Sequence, residues 1–139
     1  MAYQPLASVL GGIDLFSGLS DAALSDLAAA GTTHTTPPGG TVVTQGSQDA
    51  GLQVVLEGSA KVDVSGVSRG EIGPGGYFGE ISVIDGKGRS ATLTAGPEGL
   101  KTFAISSLNF SPLIDKHPAI ARALLKVMAA RIRDLDKSL

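Results

Sequence analysis

The segment LQVVLEGSAKVDV, residues 52–64, decides the fold class because its side chains alternate in character along the chain. One alternating set is apolar: Val54, Leu56, Ala60, Val62 and Val64. The other set is largely polar: Gln53, Glu57, Ser59, Lys61 and Asp63. A period of two puts such sets on opposite faces of a β-strand. The segment therefore predicts a pair of strands with one buried face, turned or bulged near Gly58.

Further short runs of β-branched and apolar residues lie on both sides of this segment. They are TTHTT (32–36), TVVTQG (41–46), ATLTA (91–95) and KTFAI (101–105). Glycine and proline lie between these runs. Turns are predicted in PPGG (37–40), SGVSRG (65–70) and GEIGPGGYFGE (70–80). Strands at these intervals are typical of a sandwich or barrel.

Helical patterns flank the strands. Residues 5–30 predict two short helices joined near Gly18, with Ser20 as an N-cap and Gly31 as a stop. SSLNFSPLIDKH predicts a short helix, and Pro118 suits the first turn of a longer one. We therefore expect a mainly β fold with flanking α-helices in a single domain, 1–139, divided into a helical N-terminus (5–30), a β-barrel (32–105) and C-terminal helices (106–139).

The last predicted helix carries an apolar stripe that must be covered. Its members recur at intervals of four and three residues: Ala121, Leu125, Met128, Ile132, Leu135 and Leu139. Three short heptads are weak support for a coiled coil, so we expect the stripe to lie on its own domain. A homodimer through 121–139 is the alternative.

Composition limits the classes of function. The chain has 139 residues, 42% hydrophobic and 17% charged, which is enough for one folded core. A net charge of −2 gives no general attraction to nucleic acid or to an anionic membrane, so neither is expected as a partner. There are no cysteines, no apolar run long enough to span a bilayer and no basic secretory leader, and we expect a cytoplasmic protein.

The segment FGEISVIDGKGRSA, residues 78–91, combines one acid, Glu80, and one base, Arg89, with glycines that let a backbone approach a ligand. Successive N–H groups and a guanidinium suit a phosphate, whereas a carboxylate suits a hydroxyl. Together these groups fit a ribose phosphate. A plain ion pair across a turn explains the two charges equally well from spacing alone.

Catalysis is not expected. Metalloenzymes on a similar barrel need several converging ligands, and the chain has only His34 and His117 as histidines, so no metal site is predicted. We expect His34 to be an ordinary strand residue and His117 to cap a helix or pack at its start. No nucleophile has a base near it in sequence, so we predict no catalytic residue and no enzyme.

The run FGEISVIDGKGRSATL resembles the phosphate-binding cassette of cyclic nucleotide-binding domains, which reads Phe-Gly-Glu, an aliphatic stretch, and then Arg followed by a small residue and Ala. The resemblance extends over nearly the whole chain, including LFSGLSDAALSDL, PPGGTVVTQGSQDAGLQVVLEGSAKV and the final helices. It implies an eight-stranded jelly-roll-like β-barrel, also described as a double-stranded β-helix, with helices at both termini.

The resemblance also implies roles for individual residues. Glu80 would accept from the ribose 2′-hydroxyl, and Arg89 would hold the exocyclic phosphate oxygens. Backbone N–H groups near Gly79, Ile81 and Ala91 would surround the phosphate, with help from Ser90. Val64 and Tyr77 are candidates for the neighbourhood of the base, although a role in the barrel core is expected more strongly for both.

Ser90 leaves cAMP modestly favoured over cGMP, and no cofactor besides this ligand is implied. The chain stops about one helix past the barrel, so we expect a stand-alone sensor in signal transduction that acts on an unknown protein effector. Its last helix would move to cover the base. A protein-interaction or dimerisation module of the same fold, with nucleotide binding secondary, is the competing hypothesis.

Overall fold

A computed structural model describes residues 5–46 and 51–136 of the chain. They form two compact units, one made of the described residues within 30–110 and the other of segments 5–29 and 111–136. The first unit contains the strands and the second contains most of the helical residues. The expected order of helices, then strands, then helices is confirmed.

The strand unit is a six-stranded antiparallel sheet. Its strands are β1 (Thr32–Thr36), β2 (Thr41–Val43), β3 (Gly51–Val64), β4 (Val67–Ile72), β5 (Tyr77–Phe78) and β6 (Thr92–Ser106). The order is β1-β6-β3-β4, while β2 also pairs with β6 and β5 with β3. Six strands are found in the described residues instead of the eight expected, because the two longest continue through positions where breaks were predicted.

Strand β3 confirms the bulge predicted near Gly58 as one of two alternatives, whereas the predicted division into two strands is wrong. The segment forms one strand of 14 residues, bulged and not turned, with register shifts against β6 between Val55 and Glu57 and between Gly58 and Ala60. Gly58 has φ 78°, and a Cβ there would collide with the carbonyl oxygen of Gly99. The bulge therefore requires glycine and keeps both halves of the strand in one ladder.

Strand β6 and the β3–β4 hairpin correct two further expectations. ATLTA and KTFAI belong to one 15-residue strand, which passes through Gly96 and Gly99 opposite the bulges of β3. Of the predicted turn SGVSRG, only Ser65 and Gly66 turn, both with positive φ (52° and 83°), and the rest enters β4.

The interior of the strand unit is apolar. A cluster of buried side chains from four strands forms it: Val43, Val55, Ala60, Phe78, Leu93, Ala95 and Leu100. Burial of a Val, Leu or Phe side chain stabilises a fold by about 1.5–3 kcal/mol. This core fixes the positions at which β5 ends and β6 begins, which are the two ends of the candidate ligand loop.

The helices are α1 (Leu6–Gly11), α2 (Asp21–Ala30), α3 (Ser82–Asp85), α4 (Ser107–Lys116) and α5 (Pro118–Asp136), with a 3₁₀ turn at Asp14–Phe16. The predicted first helix is thus shorter than expected, since it ends at Gly11. Ser20 caps α2 as predicted, because its Oγ accepts from the N–H of Ala23 at 3.2 Å, and Pro118 begins α5 as predicted.

Within the helical unit, an ion pair links α2 to the junction of α4 and α5. His117 Nε2 lies 2.7 Å from Asp26 Oδ2, and Lys116 Nζ lies 2.9 Å from the same oxygen. The hydrogen bond from His117, and then that from Lys116, lower the pKa of the Asp26 carboxyl below its ordinary value of 3.8. His117 therefore connects two helices, which agrees with the packing role predicted for it.

The apolar stripe of α5 is exposed, although we predicted that it would lie against its own domain. Leu125, Ile132 and Leu135 are 67%, 59% and 72% exposed, whereas the side chains that α5 buries are Ile120 and Leu124, one position earlier on the helix. Leu139 lies outside the described residues. Within those residues, no helix is long and apolar enough to cross a bilayer.

Candidate functional site

The candidate site begins where β5 ends. Gly79 follows Phe78 with φ 83°, a left-handed conformation that favours glycine. The chain then enters the short helix α3, whose first turn is closed by a bond of 2.9 Å from the N–H of Val83 to the carbonyl of Gly79. The short helical turn expected after Gly79 is therefore present.

The remainder of the loop is closed by its own hydrogen bonds. Ser82 Oγ donates to the carbonyl of Lys87 at 2.7 Å, and the N–H of Lys87 donates to Asp85 Oδ1 at 2.9 Å. Gly86 ends α3 in the left-handed region, with φ 69°, and its N–H donates to the carbonyl of Ser82 at 2.9 Å. These short-range bonds fix the path of the chain toward Arg89.

The side chain of Arg89 is buried, with 7% of its surface exposed. Its Nη1 donates to the carbonyl of Gly51, the first residue of β3, at 2.6 Å. A Cβ built on Gly79 would collide with that carbonyl and with Nη1 of Arg89. The structure therefore brings the guanidinium directly against the Gly79 backbone, and only glycine permits the approach.

The backbone at Arg89 is held by the loop after β2. The N–H of Gly46 donates to the carbonyl of Arg89 at 2.9 Å, and the N–H of Gln45 donates to Thr92 Oγ1 at 2.9 Å. The amide side chain of Gln45 binds Ser65, accepting from its N–H at 2.8 Å and donating to its Oγ at 3.2 Å. One glutamine thus connects the start of β6 with the β3–β4 hairpin.

Glu80 is the second buried ionisable residue of the loop, with 5% of its surface exposed. It directly follows Gly79, whose backbone touches the Arg89 guanidinium. Burial of a carboxylate or a guanidinium costs free energy unless each is hydrogen-bonded or paired. The two buried groups therefore form a site of mixed charge. They are not the exposed ion pair across a turn that the sequence left open as an alternative.

The other predicted site residues have varied environments. Ile81 is 55% exposed and Ser90 is also exposed, whereas Ala91 is half-buried and packs against the barrel core. Tyr77 is half-buried on β5 opposite Val54 of β3. Val64 is half-buried at the end of β3, opposite Val67. The proximity of Tyr77 and Val64 to a base stays a prediction.

Sequence reasoning missed the residues that position Arg89. Gly51 and Gln45 lie 38 and 44 positions before it, and a carbonyl acceptor has no signature in sequence. Val62 and Ile72 pack against the same core as Ala91, and neither was a predicted site residue. The alternation in β3 placed Val62 on the correct face, so that signal was present.

The site therefore combines a buried arginine and a buried glutamate in one loop on an antiparallel sheet. The family model described as cyclic nucleotide-binding domain matches residues 33–117, which is more than half of the chain. The chain therefore belongs to the cyclic nucleotide-binding domain family, and the resemblance inferred from the cassette is confirmed.

Relatives agree with this assignment. A cyclic nucleotide-gated potassium channel from Mesorhizobium japonicum is 32% identical over 86% of this chain and 33% of its own. A cyclic AMP receptor protein from Thermus thermophilus is 30% identical over 74% of this chain and 50% of its own. The crystal structure of Thermus thermophilus catabolite activator protein superposes with a TM-score of 0.80, at 28% identity over 90% of this chain and 61% of that one. The chain thus spans a third to a half of the length of these curated relatives.

Proposed function

We propose that this domain binds cAMP and acts as a sensor. In the proposed complex, Arg89 holds the exocyclic phosphate oxygens with its guanidinium, and Glu80 accepts a hydrogen bond from the ribose 2′-hydroxyl. The ligand is a monoanion with a hydroxyl on the neighbouring ring. A cation and a carboxylate are the two groups that such a ligand needs from a protein.

The single observation that supports this proposal most strongly is the burial of the Arg89 guanidinium against the backbone of Gly79. A guanidinium held by the carbonyl of Gly51 at 2.6 Å is oriented before any ligand arrives. Because an arginine fixed in one geometry loses little freedom on binding, its bonds to phosphate contribute more fully to affinity.

The backbone supplies the other proposed phosphate contacts. We assign these to N–H groups near Gly79, Ile81 and Ala91, with the exposed hydroxyl of Ser90 as a further donor. The left-handed conformation of Gly79 supports this assignment, because successive N–H groups around such a residue point into one concavity.

The preference for cAMP over cGMP rests on family pattern and on one relative. The family resemblance implies that a hydroxyl residue after the arginine, here Ser90, is compatible with both cAMP and cGMP. The Thermus thermophilus relative is a cyclic AMP receptor protein. We therefore expect the Kd for cAMP to be the lower of the two. Calorimetric titrations of the same sample with cAMP and cGMP measure the difference, and a lower Kd for cGMP would reverse the assignment.

The role of Glu80 is tested by comparing cAMP with 2′-deoxy-cAMP on the wild type and on Glu80→Gln. A hydrogen bond to a charged group contributes about 1.5–3 kcal/mol, so the wild type should prefer cAMP at least about tenfold. The variant should show a smaller preference, because the charge is gone. If the wild type binds both nucleotides equally, Glu80 does not hold the 2′-hydroxyl. If neither nucleotide releases heat or shifts the unfolding temperature, the proposed function fails.

We further propose that α5 responds to the ligand. Ligand binding shifts a two-state helix from mostly open to mostly closed only if the two states differ in affinity by about 5 kcal/mol. A spin or fluorescent label at Ser111 and another on α5 at Lys126 would report the change on titration with cAMP. Distances that stay constant through saturation would remove the sensor part of the proposal.

The exposed stripe of α5 favours a second candidate function, association with another copy of this chain. Leu125, Ile132 and Leu135 recur at intervals of seven and three residues and present three large apolar side chains to solvent. Packing of this seam against the same seam of a second copy would remove these side chains from water. Nucleotide binding itself uses the strand unit and association uses α5, so the two functions share only the proposed response of α5 to the ligand.

Light scattering at high protein concentration tests this association. The wild type should have twice the mass of the chain, and Leu125→Gln should shift it toward monomer. Lys126→Gln is the matched control, since it introduces the same side chain at the next exposed position and should remain dimeric. A wild type that is monomeric at all concentrations would reject the dimer.

A further inference from the structure

The strand unit contains a cavity of about 500 Å³ that lies beside β1, β3 and β6. Four residues of β1 line it, namely Thr32, His34, Thr35 and Thr36. Ala104 of β6 lies in register between Thr32 and Gln53 of β3. A methyl group at the centre of this cross-strand row leaves the space that a larger side chain would fill.

Polar side chains with fixed orientations face the cavity. Gln53, which is 8% exposed, accepts a hydrogen bond from the buried Thr102 hydroxyl at 3.0 Å. The Thr32 hydroxyl lies 2.9 Å from Nε2 of His34. Burial of the Gln53 amide is costly unless it is hydrogen-bonded, and its bond to Thr102 holds it in place beside the cavity. Thr32 and His34 are exposed, and their mutual bond orients them at the rim of the cavity.

The charge of the lining indicates the kind of ligand. Among the described residues that line the cavity, Arg89 carries the one permanent charge and none carries a carboxylate. Most of the other polar side chains in the lining carry hydroxyl or amide groups, among them those of Ser106 and Asn109. A lining with one cation and otherwise neutral or weakly basic polar side chains suits an anion that also bears hydroxyls.

We propose that this cavity binds a second ligand, a small hydroxyl-bearing organic phosphate, whose phosphate contacts Arg89. The volume suits such a molecule, because ligand pockets commonly measure about 300–1,000 Å³. Glu80, Ser90 and Ala91 do not line the cavity, so the second ligand reaches the guanidinium through a different wall from the cyclic nucleotide. Two anions then compete for one cation, and each ligand weakens the other. Only this antagonism rests on the proposed function.

Ribose 5-phosphate, which has a phosphate and hydroxyls but no base, is the probe. In ¹H–¹⁵N spectra of the full chain it should shift the amides of Thr32, His34 and Ala104. Inorganic phosphate, tested in parallel, should shift them more weakly. His34→Ala should raise the Kd for ribose 5-phosphate about tenfold through loss of one bond to a charged ligand, and Ala104→Leu should abolish binding by filling the cavity. Saturating ribose 5-phosphate should raise the Kd for cAMP of the wild type.

Both variants should bind cAMP as the wild type does, since neither side chain belongs to the cassette. Shifts confined to Ser90 and Ala91 would mean that the probe occupies only the cassette, and would overturn the proposal. So would the absence of shifts at about 10 mM probe, or unchanged binding in His34→Ala, whose side chain is exposed and whose folding is therefore secure. If cAMP fails to bind while ribose 5-phosphate shifts His34, the cavity proposal stands and the proposed function falls.

Discussion

Replacing Arg89 by alanine removes the cation on which the proposed phosphate site depends. The side chain is 7% exposed and bonded to the carbonyl of Gly51 at 2.6 Å, so a phosphate bound to it is also shielded from water. Truncating one partner of such a buried charge pair costs about 2–5 kcal/mol. This free energy corresponds to a Kd for cAMP raised by about 30-fold to 4,000-fold.

The same substitution affects folding, and the two effects must be separated. Loss of the bond to Gly51 leaves a buried carbonyl without its donor, which costs about 1–3 kcal/mol of stability. Affinity is therefore measured by calorimetry well below the unfolding temperature of the variant, with circular dichroism as the check on folding. A folded Arg89→Ala that binds too weakly to measure agrees with the upper part of the range.

Lys87→Ala is the matched control. It removes a positive charge from the same loop, but Lys87 is exposed, and its backbone bonds to Ser82 and Asp85 remain available to alanine. We expect its Kd for cAMP to change by less than about threefold, since exposed charges contribute about 0–1 kcal/mol. Equal losses of affinity in the two variants would show that the loop acts only through its overall charge. Wild-type affinity in Arg89→Ala would refute the assigned contact.

Gly79→Ala should destabilise the fold by more than the about 1–2 kcal/mol of a left-handed alanine, because its Cβ also collides with the carbonyl of Gly51. Gly39→Ala, at φ 75° with open space around it, should lose only the backbone part, and equal urea midpoints would contradict the collision. Asp26 should make the free energy of unfolding decrease at acid pH. Its pKa is lowered in the folded state by His117, so its contribution is present above 3.8 and is lost as the pH falls through the lower folded value. The urea midpoints of wild type and Asp26→Asn should therefore converge as the pH falls below 3.8, and a constant gap would argue against the ion pair.

The regular features of the strand unit were predictable because alternation and turn residues report local burial. Ala60 and Lys61 have the predicted buried and exposed environments, and Ser20 and Pro118 begin helices as their chemistry predicts. The alternation failed at Gln53, which is buried although polar, because its partner is the hydroxyl of Thr102, 49 residues away. Local pattern cannot report a partner at that distance.

The number of strands and the exposure of the α5 stripe could not be predicted from the local sequence pattern. Gly58 predicts an interruption of β3, but whether it turns or bulges depends on the carbonyl of Gly99 that faces it. Periodicity identified Leu125 as part of an apolar face without indicating what covers that face.

The two charges of the site were recognisable from their motif. The contacts that position Arg89 were not, because they come from Gly51 and from the loop at Gln45 and Gly46, distant in sequence. Nothing about these residue types marks them as anchors for an arginine many positions later. The sequence therefore identifies the groups that would meet a ligand more readily than the scaffold behind them.

The internal hydrogen bonds of 82–87 have a kinetic consequence. Ser82, Asp85 and Gly86 already hold this segment in a single shape through bonds to nearby atoms of the same segment. A ligand that docks on a preformed loop does not wait for the chain to order, so little configurational entropy is lost at that moment. Association with a nucleotide should then proceed at a rate set by diffusion and orientation, and differences in affinity among related nucleotides should arise mainly from how slowly each one departs.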